Sequence, residues 1–130
     1  MRILQPPGWP RPRGYANGVA VRGEMVFVAG MVGWDTDQRF TTHTMAGQAR
    51  KALENIVEVL RMAGAKPEHI VRMTWYVLDR QAYLDSAAEI GVAFREVIGS
   101  YHAAMSAVEV TALMEHEALV EIEVTAVIPD

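Results

Sequence analysis

The stretch Leu119–Ile128, LVEIEVTAVI, decides the fold because apolar and polar residues alternate along it. Successive side chains of a β-strand point to opposite faces of a sheet, so a period of two predicts a strand. One face takes Val120, Ile122, Val124, Ala126 and Ile128, and the other takes Glu121, Glu123 and Thr125. We therefore expect this strand to present its carboxylates on the side away from its apolar residues.

A shorter run of the same kind, Ser106–Val110, comes just before this strand. Residues 111–117 connect the two runs and are long enough for an antiparallel return, so the chain is predicted to end in two strands. These strands carry Glu109, Glu121 and Glu123. We expect any reactive site where the two strands meet the loop that precedes Ser106.

Two short apolar runs near the N-terminus predict a first pair of strands. Residues 19–21 and 25–29 are joined through a turn at residues 22–24, which predicts a β-hairpin. Residues 1–14 contain four prolines and are predicted to form an extended arm, because proline lacks the amide hydrogen that helices and central strands use. Such an arm either packs on the surface or lines a neighbouring subunit's cleft.

Apolar residues recur at three- and four-residue spacing in two later segments, which predicts two amphipathic helices. Thr44 caps the first, Asp79 caps the second, and a glycine ends each. Between them, Ile70–Leu78 is rich in β-branched and aromatic residues and is predicted to be a strand. The order β-β-α-β-α-β-β over a single domain, residues 1–130, predicts an α+β fold with one mixed sheet and two helices packed on one face.

The composition excludes several classes of function. The net charge of −4 provides no basic surface for nucleic acid. The chain contains no cysteine, which excludes disulfides, thiolate metal ligands and a cysteine nucleophile. No apolar stretch is long enough for a membrane helix, and the N-terminus has no apolar signal-peptide core. We therefore expect no nucleic-acid or membrane partner and a cytoplasmic location.

Each polar residue that could bind or act on a ligand can also be interpreted as purely structural. The four histidines lack the spacing of metal ligands, so we expect no metal site. His102 lies before Ser106, where it either faces a ligand or is an ordinary loop histidine. Ser106 has no nucleophile-elbow glycines around it, so its hydroxyl is expected to bond the backbone or a ligand. Glu121 either faces water or acts as a general base that orients a water molecule.

Several segments, taken in order, resemble one known family. The most specific are Gln48–Ile56, with the pattern Gln-x4-Leu-Glu-Asn-Ile, and Val120–Glu123. The others are Gly14–Val19, Val26–Gly30, Gly64–Ala65 and Met73–Asp79. Over nearly its whole length the chain resembles the Rid/YjgF-like family of reactive intermediate and imine deaminases.

The resemblance implies a chorismate-mutase-like fold and a homotrimer with three clefts, each built from two subunits. The best-known members hydrolyse reactive enamines and imines and release ammonia without a cofactor. By resemblance, Tyr15 lines the cleft, the Gly30 backbone helps to bind the small-molecule ligand, and Ser106 follows the key arginine. Glu121 matches the glutamate that positions the attacking water, and it is the implied catalytic residue.

Three motifs depart from the family pattern. Met105 stands where the family has the arginine of Pro-Ala-Arg-Ser. The usual Ser-Gly-Gln is Ala29-Gly30-Met31, and the asparagine of the second helix is Ala88. An arginine holds a carboxylate through two charge-assisted hydrogen bonds, whereas methionine offers no donor, so a 2-imino acid should bind poorly.

These substitutions predict a more apolar cleft. We expect a ligand without a free α-carboxylate at the Met105 position, such as an aromatic compound or a thioester-like conjugate. The residues expected to face it are Met31 and Met105, together with Tyr15, Trp34, Tyr101 and His102.

Three functions stay open from the sequence. The first is a hydrolase acting on a C=N bond, with Glu121 handling water. The second is a non-catalytic trimer that binds a small apolar or aromatic metabolite, which the loss of the arginine favours. The third is an RNase, a label attached to some relatives, which the acidic charge disfavours.

Overall fold

The computed structural model describes residues 1–100 and 103–130. Two candidates for ligand binding, Tyr101 and His102, therefore lie outside the described residues. In chain order the elements are β1 (Arg2–Leu4), β2 (Gly18–Ala20), β3 (Gly23–Val32), α1 (Met45–Met62), β4 (Ile70–Val77), α2 (Arg80–Asp85), α3 (Ala87–Val97), β5 (Ala104–Glu109) and β6 (Val120–Pro129). A 3₁₀ turn, Pro67–His69, precedes β4. Within the described ranges, no helix is both long and apolar enough to cross a membrane.

The main sheet is mixed and has the strand order β3-β6-β4-β5, which confirms the predicted sheet type. β6 pairs antiparallel with β3 on one side and with β4 on the other. β5 pairs parallel with β4 at the edge of the sheet. The last two strands of the chain thus run in opposite directions, as the antiparallel return requires, but β4 lies between them.

The alternation along β6 is confirmed. Val120, Ile122 and Val124 are buried on the face that α1 covers, whereas Glu123 is exposed on the other face. We call this second side the open face. Because paired residues of neighbouring strands project to the same side, the register places Tyr76 on the open face with the glutamates.

The predicted hairpin between residues 19–21 and 25–29 is wrong. β2 pairs instead with β1 in a separate two-stranded sheet, so the N-terminal arm supplies its partner. β3 pairs with β6, and both strands are ten residues long. The reason is length: a ten-residue partner satisfies far more backbone groups of β3 than the three-residue β2 can.

The first helix begins where the sequence predicts. Thr44 caps α1, because its Oγ1 accepts a hydrogen bond from the Gly47 amide at 3.0 Å. The predicted stripe is buried at Ala49, Leu53 and Ile56.

The second predicted helix is interrupted and forms two segments, α2 and α3. Asp79 caps α2, as predicted, with Oδ1 accepting a hydrogen bond from the Ala82 amide at 3.0 Å. Ser86 leaves helical geometry with φ −94° and ψ 4° and separates the segments. A serine side chain competes for local backbone hydrogen bonds and so favours helix ends over helix interiors.

A fully buried polar side chain, Gln48, ties α1 to two loops. Its Nε2 donates to the carbonyl oxygens of Thr42 at 3.1 Å and Glu117 at 3.0 Å. Its Oε1 accepts from the Leu119 amide at 2.7 Å. These three bonds fix the residue directly before β6 against the helix, which positions the strand that carries Glu121.

We expect Gln48→Leu to lower the free energy of unfolding by about 2 to 4 kcal/mol, because it removes three hydrogen bonds to backbone groups at a buried site. Urea unfolding followed by circular dichroism measures this change. The matched control is Gln81→Leu, since Gln81 is exposed and bonds only Asp85 among the described residues. An equal effect of both substitutions would show that Gln48 does not anchor the helix.

Candidate ligand-binding site

A cleft of about 780 Å³ opens beside β5, between this edge strand, α3 and the loop around residue 14. Its walls are largely apolar or aromatic and include two arginines. The lining residues are Arg13, Gly14, Tyr15, Tyr83, Ala87, Ile90, Gly91, Arg95, Gly99, Ser100, Met105 and Ala107. The volume falls in the range of small-molecule sites, about 300–1,000 Å³.

Met105 contributes to the floor of this cleft. It lies beside Met73 in the parallel register of β5 and β4, and Met73 is fully buried beneath the helices. Met105 itself is half-buried and packs against the same core. Ala107, two residues further along the strand, lines the cleft on the same side.

Two tyrosines also line the cleft. A hydrogen bond of 2.9 Å from the Ala16 amide to the Ala103 carbonyl holds Tyr15 close to the start of β5. Tyr83 packs edge-on against Trp75, with ring centroids 6.1 Å apart. Burial raises the pKa of the Tyr83 phenol, so this hydroxyl is uncharged at neutral pH.

Glu121 and Gly30 lie together in another part of the sheet. Gly30 falls in the irregular segment of β3 between Val28 and Met31, where the register with β6 shifts. A Cβ at Gly30 would collide with the Glu121 carboxylate. The glycine thus lets the carboxylate lie directly against the backbone of β3.

Tyr76 and Glu123 form a hydrogen-bonded pair next to Glu121 on the open face. The Tyr76 hydroxyl donates to Glu123 Oε1 at 2.7 Å, and Tyr76 lies opposite Glu121 in the register. This hydrogen bond raises the pKa of the Tyr76 phenol, and desolvation and the negative charges of both glutamates act in the same direction.

A single chain does not bring the predicted site residues into one place. Met105 and Tyr15 belong to the cleft beside β5, whereas Gly30 lies on β3 at the opposite edge of the sheet. With neighbouring strands about 4.8 Å apart, the two edges are separated by about 14 Å across the sheet. Glu121, on β6, belongs with Gly30.

The other described candidates lie outside the cleft. Met31 is half-buried and packs against the hydrophobic core. Trp34 contacts Phe40, with ring centroids 5.8 Å apart, and its carbonyl accepts a 2.9 Å hydrogen bond from Asn55. Ser106 is exposed on β5 opposite Thr74 of β4, on the open face.

Sequence reasoning missed the two arginines of the cleft. Arg95 comes directly after Phe94, the most buried residue of the α3 stripe, and four residues after Gly91. The position of Arg95 at the border of this apolar stripe could have indicated its place in the cleft. A long charged side chain at such a border lies along the apolar surface and keeps its charged group at the edge. Arg13 had no comparable signal, since its place depends on how the N-terminal loop meets β5.

No group of three or more histidine, cysteine, aspartate or glutamate side chains is arranged to hold a metal ion among residues 1–100 and 103–130.

Residues 10–128 match the model of the family described as endoribonuclease L-PSP. The chain belongs to this family, also called the Rid/YjgF family. A solved conserved Rid protein from Yersinia pestis is 31% identical, covers 98% of each chain and superposes with a TM-score of 0.85. This likeness confirms the predicted chorismate-mutase-like α+β fold.

Two further relatives carry functional names. A 2-iminobutanoate/2-iminopropanoate deaminase from Salmonella typhimurium is 32% identical over 113 residues, which are 87% of this chain and 86% of the relative. The structure of TdcF from E. coli with bound serine is 27% identical, covers 98% of each chain and has a TM-score of 0.68. The Rid-family chain described here thus has one relative named as a deaminase and one solved with a small molecule.

The Tyr76–Glu123 pair predicts a pH effect whose sign is set by the raised pKa. The hydrogen bond contributes stability in full below the ordinary pKa of tyrosine, and this contribution is lost as the pH rises through the raised value. Ultraviolet titration of tyrosine should show two phenols ionising late, those of Tyr76 and Tyr83. Tyr76→Phe should remove one of these steps, and Glu123→Gln should move the Tyr76 step to lower pH because it removes the adjacent charge.

The matched control is Glu58→Gln, which removes a carboxylate from the exposed surface of α1. A titration in which Glu58→Gln and Glu123→Gln shift the same step equally would contradict the pairing of Tyr76 with Glu123.

Proposed function

We propose that this Rid-family protein is a cofactor-independent, cytoplasmic hydrolase of a reactive imine or enamine. Residues 1–130 form one domain, and three copies assemble with a cleft between each pair of neighbours. Glu121 handles the attacking water, and Tyr15 and the backbone of Gly30 bind the substrate. The usual arginine contact to an α-carboxylate is missing, because residue 105 is methionine.

The observation that carries the proposal is the position of the Glu121 carboxylate against Gly30. A general base acts efficiently only when its carboxylate is held in place, and the glycine allows the strand backbone itself to form one side of the site. The relative named as a 2-iminobutanoate/2-iminopropanoate deaminase supports a reaction at a C=N bond.

The reaction consumes one water and releases one ammonia. An enamine first tautomerises to its imine by moving a proton from nitrogen to carbon. Glu121 accepts a proton from water as the water oxygen bonds to the imine carbon, and it passes this proton to the nitrogen to give a carbinolamine. The C–N bond then breaks and its electron pair leaves with nitrogen, which takes the second proton of the oxygen and departs as ammonia while the oxygen forms a carbonyl.

Two features support a cleft between copies of the chain. Met105 and Tyr15 lie at one edge of the sheet and Gly30 with Glu121 towards the other, so a neighbouring copy is needed to bring both groups to one ligand. The open face also exposes apolar side chains, including Phe27 at 70%. Exposed apolar area of this kind is typical of a surface that another chain covers.

A second function, binding without turnover, is favoured by the cleft itself. Met105 and Ala107 form an apolar floor, and methionine contributes no strong hydrogen-bond donor to hold or polarise a substrate. A small apolar or aromatic metabolite then binds in the cleft and leaves unchanged. Ammonia release separates this function from the hydrolase.

We expect Glu121→Gln to lower the rate of ammonia release by about 100-fold or more, because the amide cannot accept the proton from water. The assay measures ammonia from freshly generated imines, 2-iminopropanoate and 2-iminobutanoate first, above the uncatalysed rate. Glu123→Gln is the matched control, since it removes the same charge two residues further along β6.

If Glu121→Gln retains the wild-type rate, the catalytic role of Glu121 is wrong. If the wild-type protein releases no ammonia from any imine while still binding ligands in the cleft, the binding function replaces the hydrolase.

Met105→Arg should raise kcat/KM for 2-imino acids by about tenfold or more, because a charge-assisted pair with a carboxylate is worth about 1.5–3 kcal/mol. Met105→Leu is the control for packing, since it conserves the apolar volume. Thermal unfolding of both variants checks that the half-buried site accepts the guanidinium. A fall in kcat/KM for Met105→Arg with normal stability would show that residue 105 does not face the substrate's carboxylate.

A further inference from the structure

The cleft beside β5 is positively charged in a chain whose net charge is −4. Arg13 and Arg95 line it, and no aspartate or glutamate is among its described lining residues. Three other concavities of the described chain also carry arginine, and each includes a carboxylate. One is lined by Arg2 and Arg22 together with Asp130, another by Arg72 and Glu123, and the third by Arg50 and Glu89.

Within the described part of the chain, neither arginine of the cleft has an ion-pair partner. No carboxylate of residues 1–100 and 103–130 forms an ion pair with Arg13 or Arg95. Two arginines of α1, by contrast, are paired: Arg50 with Glu96 at 3.2 Å and Arg61 with Glu58 at 3.1 Å. The charge in the cleft is thus available to a ligand.

The guanidinium of Arg95 is directed along α3 over Gly91. A Cβ placed on Gly91 would lie 3.5 Å from Arg95 Nη1, which is an ordinary contact distance. Gly91 and Arg95 both line the cleft, so the guanidinium of this exposed arginine lies at the cleft wall. The lack of a side chain at Gly91 keeps the space beside the guanidinium open.

The other lining residues of the cleft are suited to the apolar part of a ligand, which we call its apolar body. Met105 and Ala107 form its floor, Ile90 lies on the α3 side, and Tyr15 and Tyr83 provide aromatic rings. A planar guanidinium beside such surfaces matches a molecule that has a carboxylate at one end and an aromatic or branched hydrocarbon at the other.

We propose that the cleft beside β5 binds a carboxylate carried on an aromatic or branched apolar body, with Arg95 and Arg13 holding the carboxylate and Met105 and Tyr83 contacting the body. This inference rests on the proposed small-molecule function and names the class of ligand. The charge that residue 105 lacks is supplied from α3 and the N-terminal loop, which displaces the carboxylate from the floor of the cleft to its rim.

Binding of phenylacetate and of its neutral counterpart, phenylacetamide, tests the proposal on the full-length protein by isothermal titration calorimetry. We expect phenylacetate to bind at least about tenfold more tightly, since the two molecules differ only in the charged group. Arg95→Gln should weaken phenylacetate binding by about 10- to 100-fold and leave phenylacetamide unchanged. Arg95→Lys keeps the charge without the planar fork and should give an intermediate loss.

The matched control is Arg61→Gln, which removes an exposed arginine of α1 that does not line the cleft. Equal affinity for acid and amide, no binding of either, or equal loss in Arg61→Gln and Arg95→Gln would each overturn the inference. Selective phenylacetate binding without ammonia release from any imine would keep the inference and remove the proposed catalysis. Ammonia release from an imine, together with equal affinity for phenylacetate and phenylacetamide, would keep the proposed catalysis and overturn the inference.

Discussion

The pairing of β6 with strands on both of its sides is the constraint on which the rest of the structure depends. Because β6 is hydrogen-bonded to β3 and β4, its register is fixed twice, and a slip by one residue would move every apolar side chain to the wrong face. The buried face then holds α1 against the sheet, and Gln48 holds the residue before β6 against α1. The face of the sheet on which Glu121 lies and its position along β6 are therefore both fixed.

The pairing of β6 also places an apolar surface and a carboxylate-bearing surface on opposite faces of the sheet. The covered face provides the apolar floor at β5, where the half-buried Met105 and the exposed Ala107 line the cleft because the sheet ends there. The open face carries the carboxylates and the Tyr76–Glu123 hydrogen bond. The carboxylate of Glu121 and the apolar floor at β5 thus face different directions in one chain, and in the proposed assembly a second copy brings both beside one ligand.

Local patterns predicted the parts of the fold that depend on local physics. The alternation along β6, the Thr44 and Asp79 caps and the α1 stripe follow from neighbouring residues, and the structure has all of them. The partner of β2 and the place of β5 beside β4 depend on competition between distant segments, which no local pattern records. For the site, Met105 and Tyr15 share a cleft, but Gly30 and Glu121 lie towards the other edge, because motif matching orders residues along the chain and not across the sheet.

In the proposed complex, Arg13 and Arg95 supply positive charge to the cleft although residue 105 is a methionine. A guanidinium binds a carboxylate through its position and direction, whichever element of the fold supplies it. Arg95 reaches the cleft wall from α3 over Gly91, which places the proposed anchor at the rim and not on the floor formed by β5. In this proposal the ligand's carboxylate lies at the rim and its apolar body lies on the floor beside Met105. Residue 105 then affects which acid fits more than whether an acid fits.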